Sequence, residues 1–228
     1  MKTRLILVVG LLLSATAMPA ATIVQGVNFP SSIDWPTLPT TGQTVPLDIA
    51  SADLLLPKFD SLLGTLNSVT LSLDSYVDLT VTFTNTTGSA QTARNSSGDA
   101  NVQVTGPAAT YLQAFPAIAF LSSFLVPAGG TTRHGTGSDS VGPTTYATPA
   151  VLNAFSAPGG GTVTFNLSAI GEQGSITPVG VGAVPTGSVN GTLTVVYDYN
   201  PASPTPEPAT LVLFGSALLF MGIRFRKS

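Results

Sequence analysis

The 228-residue sequence contains no cysteine, and this absence excludes several kinds of site. A chain without thiols has no zinc–thiolate centre, no cysteine nucleophile and no cysteine-linked lipid anchor. In an oxidising compartment it must also fold without disulfide bonds. Packing and hydrogen bonds alone must therefore stabilise its core.

Basic residues are nearly missing from the body of the chain. Of the 8 lysines and arginines, only Lys58, Arg94 and Arg133 lie between residues 18 and 205. The same region holds all of the 11 acidic residues except Glu207, so it is distinctly acidic. Three scattered cations cannot form the basic surface that a phosphate backbone requires. Nucleic acid is therefore excluded as a partner, whereas cations and neutral sugars are compatible with the charge.

Histidine occurs once, which limits acid–base catalysis. His134 lies in the stretch 129–140, whose many glycine, serine and threonine residues predict a solvated loop. A Ser-His-Asp triad would join His134 to Asp139 and a distant serine, but the sequence has no Gly-x-Ser-x-Gly motif. We therefore assign no catalytic residue and predict that the protein is not an enzyme.

The carboxylates do not indicate a metal or cofactor site. Asp74 and Asp78 are close in sequence, but no Asp-x-Asp-x-Asp-Gly loop brings oxygen ligands together as calcium requires. A pair of acids at the separation that glycosidases use cannot be recognised from sequence. No metal ligand and no cofactor is assigned, and a polysaccharide-active hydrolase ranks third among the functions considered.

The body of the chain has a hydrophobic period of two residues, which is typical of half-buried β-strands. Apolar residues occupy odd positions over 69–73 and again over 77–83. The residues between them, Asp74–Tyr76, leave a turn and a bulge open as alternatives. Further strands are predicted over Ala100–Val104, Thr162–Leu167 and Gly191–Tyr199. One face of the last strand carries Leu193, Val195, Tyr197 and Tyr199.

Two apolar stretches have a less regular pattern. Residues 111–126 are almost wholly apolar but contain Pro116, which favours a buried strand or a short helix over a membrane span. Leu54–Leu56 is apolar at consecutive positions and is followed by Pro57. This pattern predicts a buried strand followed by a loop.

These strand patterns, separated by glycine and proline at short intervals, predict an all-β fold. We expect a two-sheet antiparallel β-sandwich of jelly-roll type, because two packed faces would bury the alternating valine, leucine and phenylalanine positions. The body is long enough to bury an adequate core without disulfides.

The N-terminus has the three parts of a secretory signal peptide. Lys2 and Arg4 form a basic region, and Leu5–Leu13 is apolar apart from Gly10. Ala15 and Ala17 are the small residues that signal peptidase reads, which predicts cleavage after Ala17. The chain is therefore expected to be exported by the secretion machinery.

The C-terminus has a second targeting pattern. Pro206, Glu207 and Pro208 precede an apolar run from Ala209 to Ile223, and Arg224, Arg226 and Lys227 follow it. As a helix, this run would be about 22 Å long, whereas the hydrocarbon core is about 30 Å thick, so it spans only marginally. The basic cluster is expected to stay in the cytoplasm and to leave the body on the other side of the membrane.

This order of Pro-Glu-Pro, short apolar helix and terminal basic cluster resembles the PEP-CTERM sorting signal. The resemblance implies recognition and processing by an exosortase of a Gram-negative bacterium. It also implies that the inner membrane holds the precursor only transiently before delivery to the cell surface or the extracellular matrix.

The body resembles the choice-of-anchor E domain in two segments, residues 54–69 and 188–199. The first contains Phe59-Asp60 followed by Ser-Leu-Leu-Gly-Thr-Leu, and the second contains Gly-Thr-Leu-Thr-Val-Val-Tyr-Asp-Tyr. A purely structural interpretation of the first segment places Phe59 and the leucines in the core, with a tight bend at Gly64. The predicted organisation is signal peptide 1–17, β-sandwich domain 18–200, proline-rich linker 201–205 and sorting signal 206–228.

The expected function is a non-enzymatic, structural or adhesive role in an exopolysaccharide or biofilm matrix. The alternative is a carbohydrate-binding module, with exopolysaccharide as its partner. That alternative predicts an exposed aromatic platform at Trp35 or Tyr111, although a single tryptophan is more often a core anchor.

Overall fold

The computed structural model describes residues 19–33, 45–46, 50–119 and 122–202. This part of the chain is all-β, as predicted, and it also contains one short helix. The strands are β1 Ala21–Ile33, β2 Val45–Pro46, β3 Ala50–Pro57, β4 Phe59–Asp60, β5 Gly64–Asn85, β6 Gln91–Thr105, β7 Tyr111–Ala114, β8 Ala117–Ala119, β9 Ser123–Val126, β10 Thr131–Tyr146, β11 Ser156–Ala157, β12 Thr162–Ile176 and β13 Val181–Pro201. The helix α1 is Pro149–Phe155, and the two 3-10 turns are Ser61–Leu63 and Pro107–Ala109.

The long strands form two antiparallel sheets. In the first sheet the order is β1-β13-β5-β10. In the second, β12 and β6 are central, with β2 and β3 beside β12 and with β7, β8 and β9 beside β6. The inward residues of both sheets form one buried hydrophobic cluster, so the fold is sandwich-like. A short parallel pair of β4 and β11 lies outside these sheets.

The strand β5 is longer and more regular than the sequence indicates. Its pairing with β13 and β10 continues without a shift through Asp74–Tyr76, so the prediction of a turn or a bulge there is wrong. Ser75 takes the inward position in the alternation and is buried. Its hydroxyl donates to the backbone oxygen of Asp139 at 3.2 Å, which satisfies the buried polar group.

The predicted loop around His134 is also wrong, because residues 131–146 form the strand β10. Its low strand propensity is overridden by antiparallel pairing with β5 over almost its whole length. At Gly137 the absence of a side chain allows the close approach of β8, because an added Cβ would clash with the carbonyl of Ala117. A sequence without hydrophobic alternation therefore forms an edge strand because a neighbouring strand holds it.

The two irregular apolar stretches are both strands. Residues 111–126 form β7, β8 and β9, all beside β6, and Pro116 lies between the first two. The alternative of a short helix there is wrong, since repeated pairing with one neighbour satisfies the backbone. In β3, Leu54 and Leu56 are buried as predicted, but Leu55 points outward and is exposed.

Aromatic rings fill one end of the core. Phe155 of α1 has its ring centroid 5.7 Å from that of Phe165 and 6.5 Å from that of Tyr197. The Tyr197 hydroxyl donates to the backbone oxygen of Pro57 at 2.8 Å, and burial raises the pKa of Tyr197. Leu193, Val195 and Tyr197 are buried on one face with Tyr199 packed beside them, which confirms the predicted face of β13.

Gly64 is expected to tolerate no side chain. Its φ of 151° and ψ of −155° lie in a region that is essentially restricted to glycine, and an added Cβ would meet the carbonyl of Asn200. We expect Gly64→Ala to lower the free energy of unfolding by about 1–3 kcal/mol from backbone strain alone. Chemical denaturation measures this, with Gly88→Ala as the control, because no atom lies within 4 Å of a Cβ at Gly88. Equal stability of the two variants would contradict the expectation.

Candidate functional site

The targeting residues predicted from the sequence lie outside the described residues. These are Ala15 and Ala17 of the signal peptide, Pro206, Glu207 and Pro208 of the sorting motif, Ala209 to Ile223 of the apolar run, and the basic residues Arg224, Arg226 and Lys227. Trp35 also lies outside them. Within the described ranges, no helix has the length and apolar character needed to cross a membrane.

The single histidine pairs with a different carboxylate from the one the sequence pointed to. His134 Nε2 lies 3.1 and 3.2 Å from the two carboxylate oxygens of Asp78. Asp139 instead accepts a hydrogen bond from the backbone nitrogen of Phe115 at 2.7 Å. In the described part of the chain, no serine hydroxyl hydrogen-bonds to His134. The residues of the considered triad are therefore not brought together.

The two neighbouring acids Asp74 and Asp78 have separate partners. Asp74 Oδ1 accepts a hydrogen bond from the Ser140 hydroxyl at 2.6 Å, whereas Asp78 faces His134. Among the residues that the structure describes, no group of three or more histidine, cysteine, aspartate or glutamate side chains could hold a metal ion. These acids act as cross-strand partners of β10 on the outer side of the first sheet.

A polar face covers the outer side of the second sheet. Its side chains alternate with buried ones, because successive side chains of a strand point to opposite sides. We call it the tyrosine face, and it consists of Asp53, Asn101, Gln103, Tyr111, Gln113 and Asn166. The strand register places Gln103 opposite Gln113 and Asn166 opposite Asp53.

Hydrogen bonds order one half of the tyrosine face. Asn101 Oδ1 accepts from Gln113 Nε2 at 2.8 Å and from Gln103 Nε2 at 3.3 Å. The Tyr111 hydroxyl donates to Gln113 Oε1 at 2.6 Å. The Tyr146 hydroxyl donates to the backbone oxygen of Tyr111 at 3.2 Å. Tyr111 is 44% exposed, so this network holds an aromatic residue at the surface.

The other half of the tyrosine face borders an open depression of about 340 Å³ lined by Ser51, Ala52, Asp53, Asn166 and Leu167. Asn166 Nδ2 donates to Asp53 Oδ1 at 2.7 Å within it. Together the two halves offer amide, hydroxyl and carboxylate groups, and none of the six side chains is basic. Such groups can both donate to and accept from the hydroxyls of a neutral ligand.

Sequence reasoning identified Tyr111 but missed the amides beside it. A signal for Asn101 and Gln103 exists, because they alternate with Ala100, Val102 and Val104 in a predicted strand. No comparable signal places Gln113 next to them. Its position depends on which strand lies beside β6, and the hydrophobic period of a strand does not specify its neighbour.

The comparison with curated proteins gave no match. Among solved structures, the chain is similar to that of the Gx strain of infectious bursal disease virus, with 12% identity and a TM-score of 0.25 over 82% of this chain and 38% of that chain. A subviral particle of the same virus gives 13% identity and a TM-score of 0.26 over 87% of this chain and 43% of that chain. The chain thus spans less than half the length of these viral chains, and such TM-scores support no argument about fold or role.

The informative match lies at the C-terminus. Residues 204–227 match the PEP-CTERM protein-sorting motif, which confirms the resemblance of the tail. The matched stretch contains Pro206–Pro208, the apolar run and the basic cluster. The chain therefore carries the PEP-CTERM signal of an exported protein that is processed at the membrane.

Proposed function

We propose that this protein is a non-enzymatic component of the cell surface or the exopolysaccharide matrix of a Gram-negative bacterium, delivered there through processing by an exosortase. The observation that carries the proposal is the sorting motif at residues 204–227. A signal peptide cleaved after Ala17 starts the export, and the apolar run Ala209–Ile223 holds the precursor in the inner membrane until the exosortase acts. The delivered domain then serves a structural or adhesive role.

The domain that is delivered is proposed to be a jelly roll of the choice-of-anchor E type. If β7, β8 and β9 are counted as one strand and the short β2, β4 and β11 are left out, eight strands remain. The first sheet then has the order first, eighth, third, sixth, and the second has second, seventh, fourth, fifth. This alternation between two packed sheets is the basis for the jelly-roll assignment. Residues 54–69 and 188–199 support the choice-of-anchor E assignment through their sequence alone.

The proposal of a non-enzymatic role is supported by the use of the polar side chains. His134, Asp74 and Asp139 each have a hydrogen-bond partner on a neighbouring element, as expected of groups that stabilise strand edges. No observation on the described residues favours the hydrolase that ranked third.

Fractionation of host cells tests the destination. We expect the protein outside the inner membrane in a host with its exosortase, and in the inner membrane of a host without it. The same distribution in both hosts would contradict the proposed route.

The second candidate function, a carbohydrate-binding module, is favoured by the tyrosine face. Tyr111 is exposed, its hydroxyl is held by Gln113 and its backbone by Tyr146, so stacking on a sugar would not require ordering a free side chain. The surrounding amides would bond sugar hydroxyls.

Loss of the Tyr111 ring tests this second candidate. We expect Tyr111→Ala to lower retention on the host's own exopolysaccharide several-fold, because the aromatic contact is lost. Affinity electrophoresis in that polysaccharide measures the effect, with Tyr76→Ala as the control, because Tyr76 is also partly exposed but lies on the first sheet. Unchanged retention of Tyr111→Ala, or no retention of the wild type, would argue against the carbohydrate-binding candidate.

A further inference from the structure

The turn between β4 and β5 presents two leucines to solvent. Leu62 is 70% exposed and Leu63 is 46% exposed, whereas Phe59 and Leu66 on either side are buried. The prediction that all leucines of this segment fill the core is therefore wrong, while the predicted burial of Phe59 is confirmed. The chain turns at Ser61–Leu63, and Gly64, where the bend is predicted, follows as the first residue of β5. The two adjacent leucines therefore form a small apolar surface on one turn.

The orientation of this turn is fixed by its neighbours. Asp60 Oδ1 accepts hydrogen bonds from the backbone nitrogens of Leu62 at 2.9 Å and of Gly159 at 2.8 Å. Gly64 ends the turn in a conformation that other residues rarely adopt. The leucines are thus held outward rather than exposed by a loose loop. We call the segment Ser61–Leu63 the leucine turn.

The leucine turn lies where the chain leaves the sandwich towards its C-terminus. The backbone nitrogen of Ala202 donates to the carbonyl of Leu63 at 2.8 Å, and Pro201 pairs with Gly64. Ala202 is the last described residue. The described part of the chain therefore ends directly beside the two exposed leucines.

The chain between this point and the membrane segment is short. Pro206 is four residues beyond Ala202, and the apolar run begins at Ala209, seven residues beyond it. An extended chain covers at most about 3.5 Å per residue, so the leucine turn lies within roughly 25 Å of the start of the apolar run. The interfacial layer of one leaflet takes up roughly 5–8 Å of that distance.

We propose that Leu62 and Leu63 insert into the outer interfacial layer of the inner membrane while the tail anchors the precursor. This inference rests on the proposed function, because it requires the tail to be in the bilayer. The tether keeps the leucine turn at a high effective concentration near the lipid surface, so even a weak apolar contact is populated. The contact places the end of the sandwich that carries the leucine turn against the membrane. It thereby holds the Pro206–Pro208 segment close to the lipid surface.

The same contact ends when the tail is cut. A single myristoyl chain gives only marginal, reversible membrane binding, and two leucine side chains offer less apolar surface than such a chain. Without the tether, the leucine turn is too weak to retain the domain. Release after processing therefore needs no further change in the fold.

The absence of cysteine makes a site-specific test possible. Leu62→Cys gives the full-length chain a single thiol, which is labelled with a fluorophore that is sensitive to polarity. Val179→Cys is the matched control: Val179 is 86% exposed and lies in the turn between β12 and β13, at the opposite end of β13 from Ala202. Leu63→Cys is a second reporter on the leucine turn. Each labelled chain is reconstituted into vesicles of phosphatidylethanolamine and phosphatidylglycerol.

We expect fluorophores at positions 62 and 63 to shift their emission to the blue and to resist an aqueous quencher, and the fluorophore at 179 to do neither. Flotation of the vesicles reports separately whether the tail is inserted. If the chain floats with the vesicles but position 62 is quenched as strongly as position 179, the lipid contact is refuted and the anchoring stands. Protection of position 62 only when the exosortase is also reconstituted would assign the leucine turn to that enzyme and overturn the lipid contact. Failure of the chain to float would overturn both the anchoring and the contact.

Discussion

Replacement of Phe155 by alanine is expected to lower the free energy of unfolding by about 3–5 kcal/mol. The Phe155 side chain is fully buried, and its ring packs against Phe165 of one sheet and Tyr197 of the other. Truncation would therefore remove apolar contacts with both sheets and leave a cavity between them. No disulfide limits the loss, because the chain has no cysteine.

Chemical denaturation followed by circular dichroism measures this effect. Leu125→Ala is the control, because Leu125 is 64% exposed and its truncation should change the free energy of unfolding by no more than about 0.5 kcal/mol. If Phe155→Ala were no more destabilising than Leu125→Ala, α1 would not be part of the core. The packing of α1 against β12 and β13 would then be wrong.

We expect processing to be abolished when alanine replaces all three residues of the tripeptide Pro206–Pro208. The full-length precursor should then remain in the inner membrane. Glu207 is the only acidic side chain after Asp198, and the two prolines restrict the backbone on either side of it. The substitution leaves the apolar run and the basic cluster intact, so membrane insertion should continue. The predicted effect is a complete loss of the processed form, measured by immunoblotting of membrane and extracellular fractions.

Pro204→Ala is the control for this experiment, because it changes a proline in the same short segment but outside the tripeptide. It should be processed like the wild type. Equal processing of the triple substitution and the wild type would mean that the tripeptide is not the recognised element.

The sequence predicts those strands whose alternation is hydrophobic. The parts of β5 over 69–73 and 77–83 are predicted because apolar residues occupy every second position, and each of these apolar positions is buried. In β13 only 191–199 is predicted, from the alternation of Leu193, Val195 and Tyr197, which are buried. β10 is not predicted, because glycine and polar residues occupy most of its inward and outward positions alike. Its structure depends on pairing with β5, and pairing between distant strands leaves no periodic signal in either sequence.

The candidate sites also differ in how far the sequence predicts them. The sorting motif could be predicted in full, since its order and composition are local and the match at residues 204–227 confirms it. The tyrosine face could be predicted only at Tyr111, because the amides reach it from separate strands. For the leucine turn the sequence predicts burial, since the hydrophobic pattern does not distinguish Leu62 from Leu66. Asp60 caps the turn at Leu62, and Asp60 is itself held by the backbone nitrogen of Gly159, which is 99 residues away in sequence.

The intact mass of the native protein, purified from hosts with and without the exosortase, shows whether the exosortase processes the C-terminus. We expect a mature protein that starts at Met18 in both hosts, since cleavage is expected after Ala17. With the exosortase, the C-terminus should be processed before Ser228, and without it the chain should end at Ser228. A wild-type protein that still ends at Ser228 in a host with an active exosortase would contradict the proposed processing by that enzyme.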